Sequence, residues 1–157
     1  MKEIPLTQGR VALVDDEDYS WLQKWPWIYV YCPSSRTGYA VRHEGLRTIC
    51  MHRQILGARP GQDVDHVNAA GTDNQRANIR LCTRAQNNAN QRHQRRATSS
   101  RYKGVYWDRA RGKWHAQLKT GGVRYALGRF GDEREAARAY NAFALKTWGE
   151  FARLNDV

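Results

Sequence analysis

Residues 63–91 read DVDHVNAAGTDNQRANIRLCTRAQNNANQ. The stretch holds one Asp-His pair, Asp65 and His66, followed by six asparagines. Asparagine serves turns because its side chain bonds nearby backbone and tolerates a left-handed conformation. That reading takes Asn68 and Asn74, with Asp73, as loop-shaping residues. It leaves Asn78 and Asn87 as amides with a chemical task. Locally, DVDHV is a short strand and NAAGTDNQRA a polar loop. NIRLCT is a second strand with Ile79 and Leu81 on one face, and RAQNNANQRHQRR a polar helix. The order strand, loop, strand, helix decides how this part of the chain folds.

Phosphodiester hydrolysis needs a base for the attacking water and a cation for the negative charge that develops. An aspartate offers a hard anionic oxygen to Mg²⁺ or Mn²⁺. An asparagine carbonyl offers a neutral one, which leaves the cation charge enough to hold phosphate oxygens. A neutral histidine accepts a proton near pH 7. Asp65, His66 and Asn87 supply these three parts, and a helix folding back on the hairpin brings Asn87 towards the other two. Neighbours on a regular strand point to opposite faces. Asp65 and His66 therefore share a pocket only where the strand ends or bends. Each residue also has a plainer role, as a hydrogen-bonded strand end, a strand-start amide (Asn78) or one more polar helix residue beside Asn88 and Asn90.

The motifs MHRQILG, VDHVN, the DN of TDNQRANIRL, and TRAQNNAN resemble the HNH endonuclease family of the phage and homing type. The resemblance covers about residues 50–92. It implies a ββα-metal unit with one divalent cation, Mg²⁺ or Mn²⁺. It also implies that His66 is the general base, that Asp65 and Asn87 are the metal ligands, and that Asn78 steadies the hairpin and the histidine. Asn78 follows His66 by twelve residues and Asn87 follows it by twenty-one, which fits the family spacing; many members have histidine at the last position, so the chain resembles the Asn variant. The CxxC zinc pairs of some members are absent, so the N-terminal segment has to supply their support. His52 reads as a residue packed under the hairpin or touching phosphate, with packing preferred.

The charge agrees with a polyanionic partner. In 157 residues the net charge is +11, and most of the basic residues are arginine, the side chain suited to bidentate phosphate and guanine contacts. The cysteines, Cys32, Cys50 and Cys82, are odd in number and widely spaced, unlike a disulfide framework or a zinc knuckle. They are expected as buried free thiols. A site from Cys32, His43, Cys50 and His52 has irregular spacing and is disfavoured. MKEIPLTQGR does not read as a signal peptide, and no apolar run is long enough for a bilayer, so no membrane role is expected.

Upstream, VALVDDEDYSWLQKWPWIYVYC reads as strand, short helix capped by Asp15 or Asp16, and strand, with Trp21, Leu22 and Trp25 inward. GYAVRHEG and RTICMHRQILG add strands, a hairpin and a short helix ending at Gly57. QRHQRRATSSR is a basic tail or linker. Beyond it, RYKGVYWDRARGKWHAQLKTGGVRYALGRF gives three alternating strands with turns at Arg111-Gly112 and Gly121-Gly122. DEREAARAYNAFALKTWG is an amphipathic helix with Ala136, Ala139, Tyr140, Phe143 and Ala144 at helical spacing. The expected division is 1–97 and 98–157.

YKGVYWDRARGKWHAQL, LGRF, EREAARAYN and FARLN resemble the plant AP2/ERF (ethylene-response-factor) DNA-binding domain. That resemblance implies a three-stranded antiparallel sheet in the major groove, braced by one helix. It carries DNA contact onto Arg101, Lys103, Tyr106, Arg109, Arg111, Lys113, Gln117, Lys119 and Arg124, with Arg101 on phosphate. Val105, Leu127 and Phe130 join the core. Lys103 and Val105 have the same parity and keep both roles only if the chain bends at Gly104. Tyr106 and Ala126 stand where the plant domains often have arginine and tryptophan, so base preference does not transfer.

The fold class expected is α+β: an HNH ββα-metal unit with an N-terminal α/β extension, then an AP2-like sheet on one helix. The function expected is a metal-dependent, homing-type DNA endonuclease acting on double-stranded DNA. A monomer would nick, and a homodimer or second encounter would cut both strands. The compartment expected is cytoplasmic, in a phage-infected bacterial host. The rivals are a DNA-binding regulator with an inactive nuclease unit and a basic RNA-binding or structural protein.

Overall fold

The computed structural model describes residues 1–92 and 99–157. They form two compact units, Met1–Asn87 and Asn88–Val157. The division read from the sequence, at residues 97 and 98, lies outside the described residues, as does part of the basic tail. The architecture is mixed α and β with antiparallel sheets. Among the described residues no helix is long and apolar enough to cross a membrane.

In the first unit, β1 (Lys2–Pro5) pairs with β2 (Val11–Val14), and α1 (Asp16–Leu22) follows. β3 (Ile28–Cys32), β4 (Thr37–Glu44) and β5 (Arg47–Cys50) make an antiparallel sheet with β4 central, and α2 (Met51–Ile55) leaves β5 directly. β6 (Asp63–His66) and β7 (Ile79–Cys82) form a two-stranded hairpin, and α3 (Arg84–Asn90) succeeds it. Ile4, Val14, Leu22, Trp27, Met51, Ile55, Val64 and Ile79 pack as one core. Burial of such side chains stabilises by about 1.5–3 kcal/mol each.

Three local expectations need correction. Trp25 is 42% exposed, because α1 stops at Leu22 and Trp27 takes the inward place. The Trp25 ring instead meets the Arg42 guanidinium at 4.2 Å. Leu81 is 44% exposed although Ile79 is buried. The three thiols are free but only half-buried, because each closes a strand: Cys32 ends β3, Cys50 ends β5 and Cys82 ends β7.

In the second unit, β8 (Val105–Asp108), β9 (Lys113–Thr120) and β10 (Val123–Phe130) form an antiparallel sheet with β9 central, and α4 (Glu133–Trp148) packs on one face. Asp132 caps α4, its Oδ1 accepting from Arg134 N at 2.8 Å and Glu135 N at 3.0 Å. Ala136, Ala137 and Ala144 are fully buried, and their small side chains let the helix lie close on Ala116 and Leu118. The bend expected at Gly104 is present, with φ +77°, and a Cβ there would overlap the Tyr140 ring.

A bulge between Ala126 and Gly128 sets the faces of β10. Leu127 and Phe130 both pack towards the helix, although three residues apart. Strict alternation forbids that; one extra residue permits it. By the same shift Arg124, opposite Lys119, and Arg129, opposite His115, reach the outer face together.

Candidate active site and nucleic-acid interface

β6 sends Val64 and His66 to the core side and Asp63 and Asp65 to the other. His66 is buried, and its Nε2 lies 3.0 Å from Asn74 Oδ1. Asn74 is fully buried, and its Nδ2 donates to Met51 Sδ at 3.2 Å and Thr72 O at 3.5 Å. Because that amide nitrogen is so engaged, Oδ1 faces the ring and Nε2 is assigned the proton. Neutral His66 then carries its basic lone pair on Nδ1. Burial pushes the His66 pKa down, while the Asn74 hydrogen bond and the Asp65 and Asp73 charges oppose it. The ring is therefore neutral near pH 7.

Two further rings pack against His66. Tyr39 from β4 and His52 from α2 have centroids 5.8 Å and 4.9 Å from His66. Burial, with the His66 and Arg53 charges, pushes the His52 pKa down to about 3. His52 Nδ1 is buried without a hydrogen-bond partner among the described residues. His52 thus packs beneath the hairpin, the structural one of its two expected roles.

The loop between β6 and β7 is tied down from both sides. Asn78 Oδ1 accepts from Asn68 N at 3.0 Å, and Asn78 Nδ2 donates to Asp73 O at 2.7 Å. Asn68 Nδ2 donates to Asp73 Oδ2 at 2.7 Å. Asn78 therefore holds the hairpin, but the amide on the histidine is Asn74. The N-terminal segment completes the clamp. Leu13 N donates to Thr72 O at 2.9 Å, and Asn74 N donates to Leu13 O at 2.8 Å. Arg76 Nε and Nη2 each donate to the buried Asp18 carboxylate at 2.8 Å, and Arg76 N donates to Asp15 Oδ2 at 2.7 Å. Asp15 occupies the N-cap position of α1 but spends its carboxylate on the loop. These contacts fix the loop to the N-terminal segment.

Asp65 is buried on the opposite face of β6. Its Oδ2 accepts from Arg80 Nε at 3.0 Å and Nη2 at 2.9 Å. Asn87 Nδ2 donates to Asp63 Oδ2 at 3.2 Å, and Arg84 pairs with the same oxygen at 3.2 Å. The structure thus gathers His66 with Asn74, His52 and Tyr39, and Asp65 with Arg80, and it seats Asn87 on Asp63. β6 ends at His66, but Asp65 and His66 keep the opposite faces of regular alternation and have separate partners. Among the described residues no three His, Cys, Asp or Glu side chains gather where an ion could sit. A cation here would rest on the carboxylate and amide oxygens of Asp65 and Asn87.

In the second unit, Tyr106, Lys113, Gln117, Lys119 and Arg124 lie on the sheet face away from α4, as the register requires. Arg109 and Arg111 sit exposed at the β8–β9 turn, and Arg101 is exposed before β8. Lys103 is placed differently. Its Nζ donates to the carbonyls of Ala89 and Gln91, and burial pushes its pKa down to about 8. Its backbone is clamped by Asn155, whose Oδ1 accepts from Lys103 N at 2.7 Å and whose Nδ2 donates to Lys103 O at 3.1 Å. Lys103 is thus a half-buried tie rather than an outward charge, because the Gly104 bend turns it off the sheet.

An uncharacterized HNH endonuclease of Acanthamoeba polyphaga mimivirus is 31% identical over 143 residues, covering 87% of this chain and 73% of that protein. The chain belongs to the HNH endonuclease family. The AP2 domain model matches residues 100–150. An AP2/ERF and B3 domain-containing protein of Oryza sativa subsp. japonica is 47% identical over 57 residues, which is 36% of this chain and 15% of that protein. No solved structure matches significantly. This HNH family member therefore joins an HNH-type segment to an AP2 domain.

Sequence reasoning missed Asn74, Arg80 and Asp63. Strand parity would have found two of them: Asp63 shares a face with Asp65, and Arg80 stands opposite Asp65. Nothing local distinguished Asn74 from the loop amides around it.

Proposed function

We propose that this HNH family member is a metal-dependent DNA endonuclease of the homing type. The β6–β7–α3 segment acts as the ββα-metal unit, and the β8–β9–β10 sheet seats the protein on duplex DNA. The observation that carries the reading is His66: buried, neutral, fixed at Nε2 by a buried amide, and next in the chain to a carboxylate.

In this reading His66 Nδ1 takes the proton of the attacking water. Asn74 holds the ring in that tautomer, and Asn78 keeps the loop backbone that carries Asn74. Asp65 and Asn87 would hold Mg²⁺ or Mn²⁺, which would supply positive charge to the phosphate and the leaving oxygen. The donor set suits a hard cation, being carboxylate and amide oxygen. Asn87 already reaches Asp63, on the strand face that Asp65 shares. One such site per chain makes the monomer a nicking enzyme, and a homodimer cuts both strands.

One observation favours a second reading, a DNA-binding regulator with an inactive nuclease unit. Arg80 already neutralises Asp65 with two hydrogen bonds. The two readings part on supercoiled plasmid incubated with Mg²⁺ or Mn²⁺, with and without EDTA, beside His66→Ala. The nuclease reading expects relaxed circles that vanish with EDTA and with the variant. Intact plasmid under both metals favours the regulator.

A further inference from the structure

The outer sheet face carries an arginine that the AP2 resemblance does not supply. Arg129 stands in register with His115, which stands in register with Tyr106, so the three form one row across β10, β9 and β8. Tyr106 and His115 are occupied with each other: the rings meet edge to face at 5.0 Å, and the phenol oxygen bonds His115 Nδ1. Arg129 is the charged member of the row, and 42% of its side chain is exposed.

Beside the row lies an acid. Asp108 Oδ2 accepts from Arg129 Nε at 3.0 Å and from Arg111 Nη1 at 3.2 Å. Its side chain is only 13% exposed. A carboxylate on this face opposes the attraction of Lys113, Lys119 and Arg124 for phosphate, so general adhesion to DNA does not explain it. Orientation does. A guanidinium is a rigid fork of five donors, and holding Nε fixes its plane. The terminal Nη1 and Nη2 of Arg129 have no partner among the described residues. An oriented fork matters for a base edge, where two acceptors lie at set positions, and matters little for a phosphate.

We propose that Arg129, aimed by Asp108, reads the O6 and N7 edge of a guanine in the major groove. This rests on the reading of the sheet as the duplex-binding surface. Arg129 is the specificity residue, and Asp108 acts through it as a positioning residue.

The test uses the full chain in EDTA, which prevents metal-dependent cutting, and a pool of duplexes with a randomised core. Wild type, Arg129→Ala, Arg129→Lys and Asp108→Asn are each taken through selection and sequencing. Affinities are then measured on the selected duplex and on an unselected one, and a thermal melt checks folding. Wild type is expected to prefer guanine at a definite position. Arg129→Ala should erase that preference, leave the others, and weaken the selected duplex by on the order of 5- to 150-fold, the range of 1–3 kcal/mol per bidentate base contact. Arg129→Lys should keep affinity for the unselected duplex and still lose the preference, because a point charge lacks the fork. Asp108→Asn should blunt the same position. An Arg129→Ala profile identical to wild type removes Arg129 as a reader. Equal weakening on both duplexes, with rescue by lysine, makes it a phosphate contact and overturns the proposal. Asp108→Asn with full preference removes the aiming role. If wild type binds no duplex, the sheet reading itself falls, and this inference with it.

Discussion

His66 in the first unit and Arg129 in the second are both nitrogen side chains with a proposed task on DNA, and they are held in opposite ways. His66 is buried, its proton placed by an amide that is itself buried and bonded. Arg129 is half in solvent and held through Nε by one carboxylate. A general base must be neutral and hold its proton on the other nitrogen; burial keeps the ring neutral, and the Asn74 amide places the proton. Reading a base requires a group to reach outward in a set plane. The first unit spends its polar residues on a closed network, and the second leaves its charge at the surface.

The largest effect that could break this contrast is at His66. His66→Ala should lower the rate of plasmid relaxation by about 10²- to 10⁴-fold, the usual contribution of a general base, while duplex affinity stays at the wild-type value. Retained cutting would remove the residue from the mechanism. Asn74→Leu comes next. Losing the amide should reduce relaxation by about 10- to 100-fold, as for other groups that orient a reacting ligand, and a wild-type rate would mean that the tautomer needs no support.

Acid should separate the buried rings from the surface charges. Burial lowers the pKa of His52, to about 3, and of His66 below their unfolded value of about 6.5. For a depressed histidine the stabilisation is complete above the unfolded pKa and is lost as pH falls towards the folded one. Each ring should therefore cost up to about 1.4 kcal/mol per pH unit below pH 6.5. Thermal melts of wild type should drop from pH 7.5 to pH 5 more steeply than those of His52→Leu. Parallel curves would mean that His52 does not stay neutral in the fold.

The smallest effect sharpens the second unit. Lys119→Ala should flatten the dependence of log affinity on log salt by about 0.9, the share of one neutralised phosphate. Lys103→Ala should leave that slope alone and lower the melting temperature, since its amine is spent on backbone carbonyls. Equal slopes for both variants would put Lys119 off the phosphates; a Lys103→Ala slope flattened like that of Lys119→Ala would put Lys103 on them.

Regular periodicity made the main elements readable. The hairpin and the start of the helix after it, the three C-terminal strands and α4 all follow from alternation or helical spacing. What escaped depended on irregular steps. The early stop of α1 exchanged Trp25 for Trp27. The half-turn at Gly104 redirected Lys103. The bulge in β10 hid Arg129 from a parity argument. In the active region, Asp65, His66, Asn78 and Asn87 were singled out by type and spacing. The partner of the histidine was not, because the packing of a loop amide against Met51 and Thr72 leaves no pattern along the chain. Arg80 was legible in principle, but its pairing needed the hairpin register.

The extra residue in β10 makes the recognition surface sensitive to length as well as to identity. Removing a single codon from the Ala126–Gly128 segment would restore even alternation and carry one of the two arginines round to the helix side. Relatives could thus diverge in the sites they prefer through one in-frame triplet, with every contact-making side chain still written in the gene.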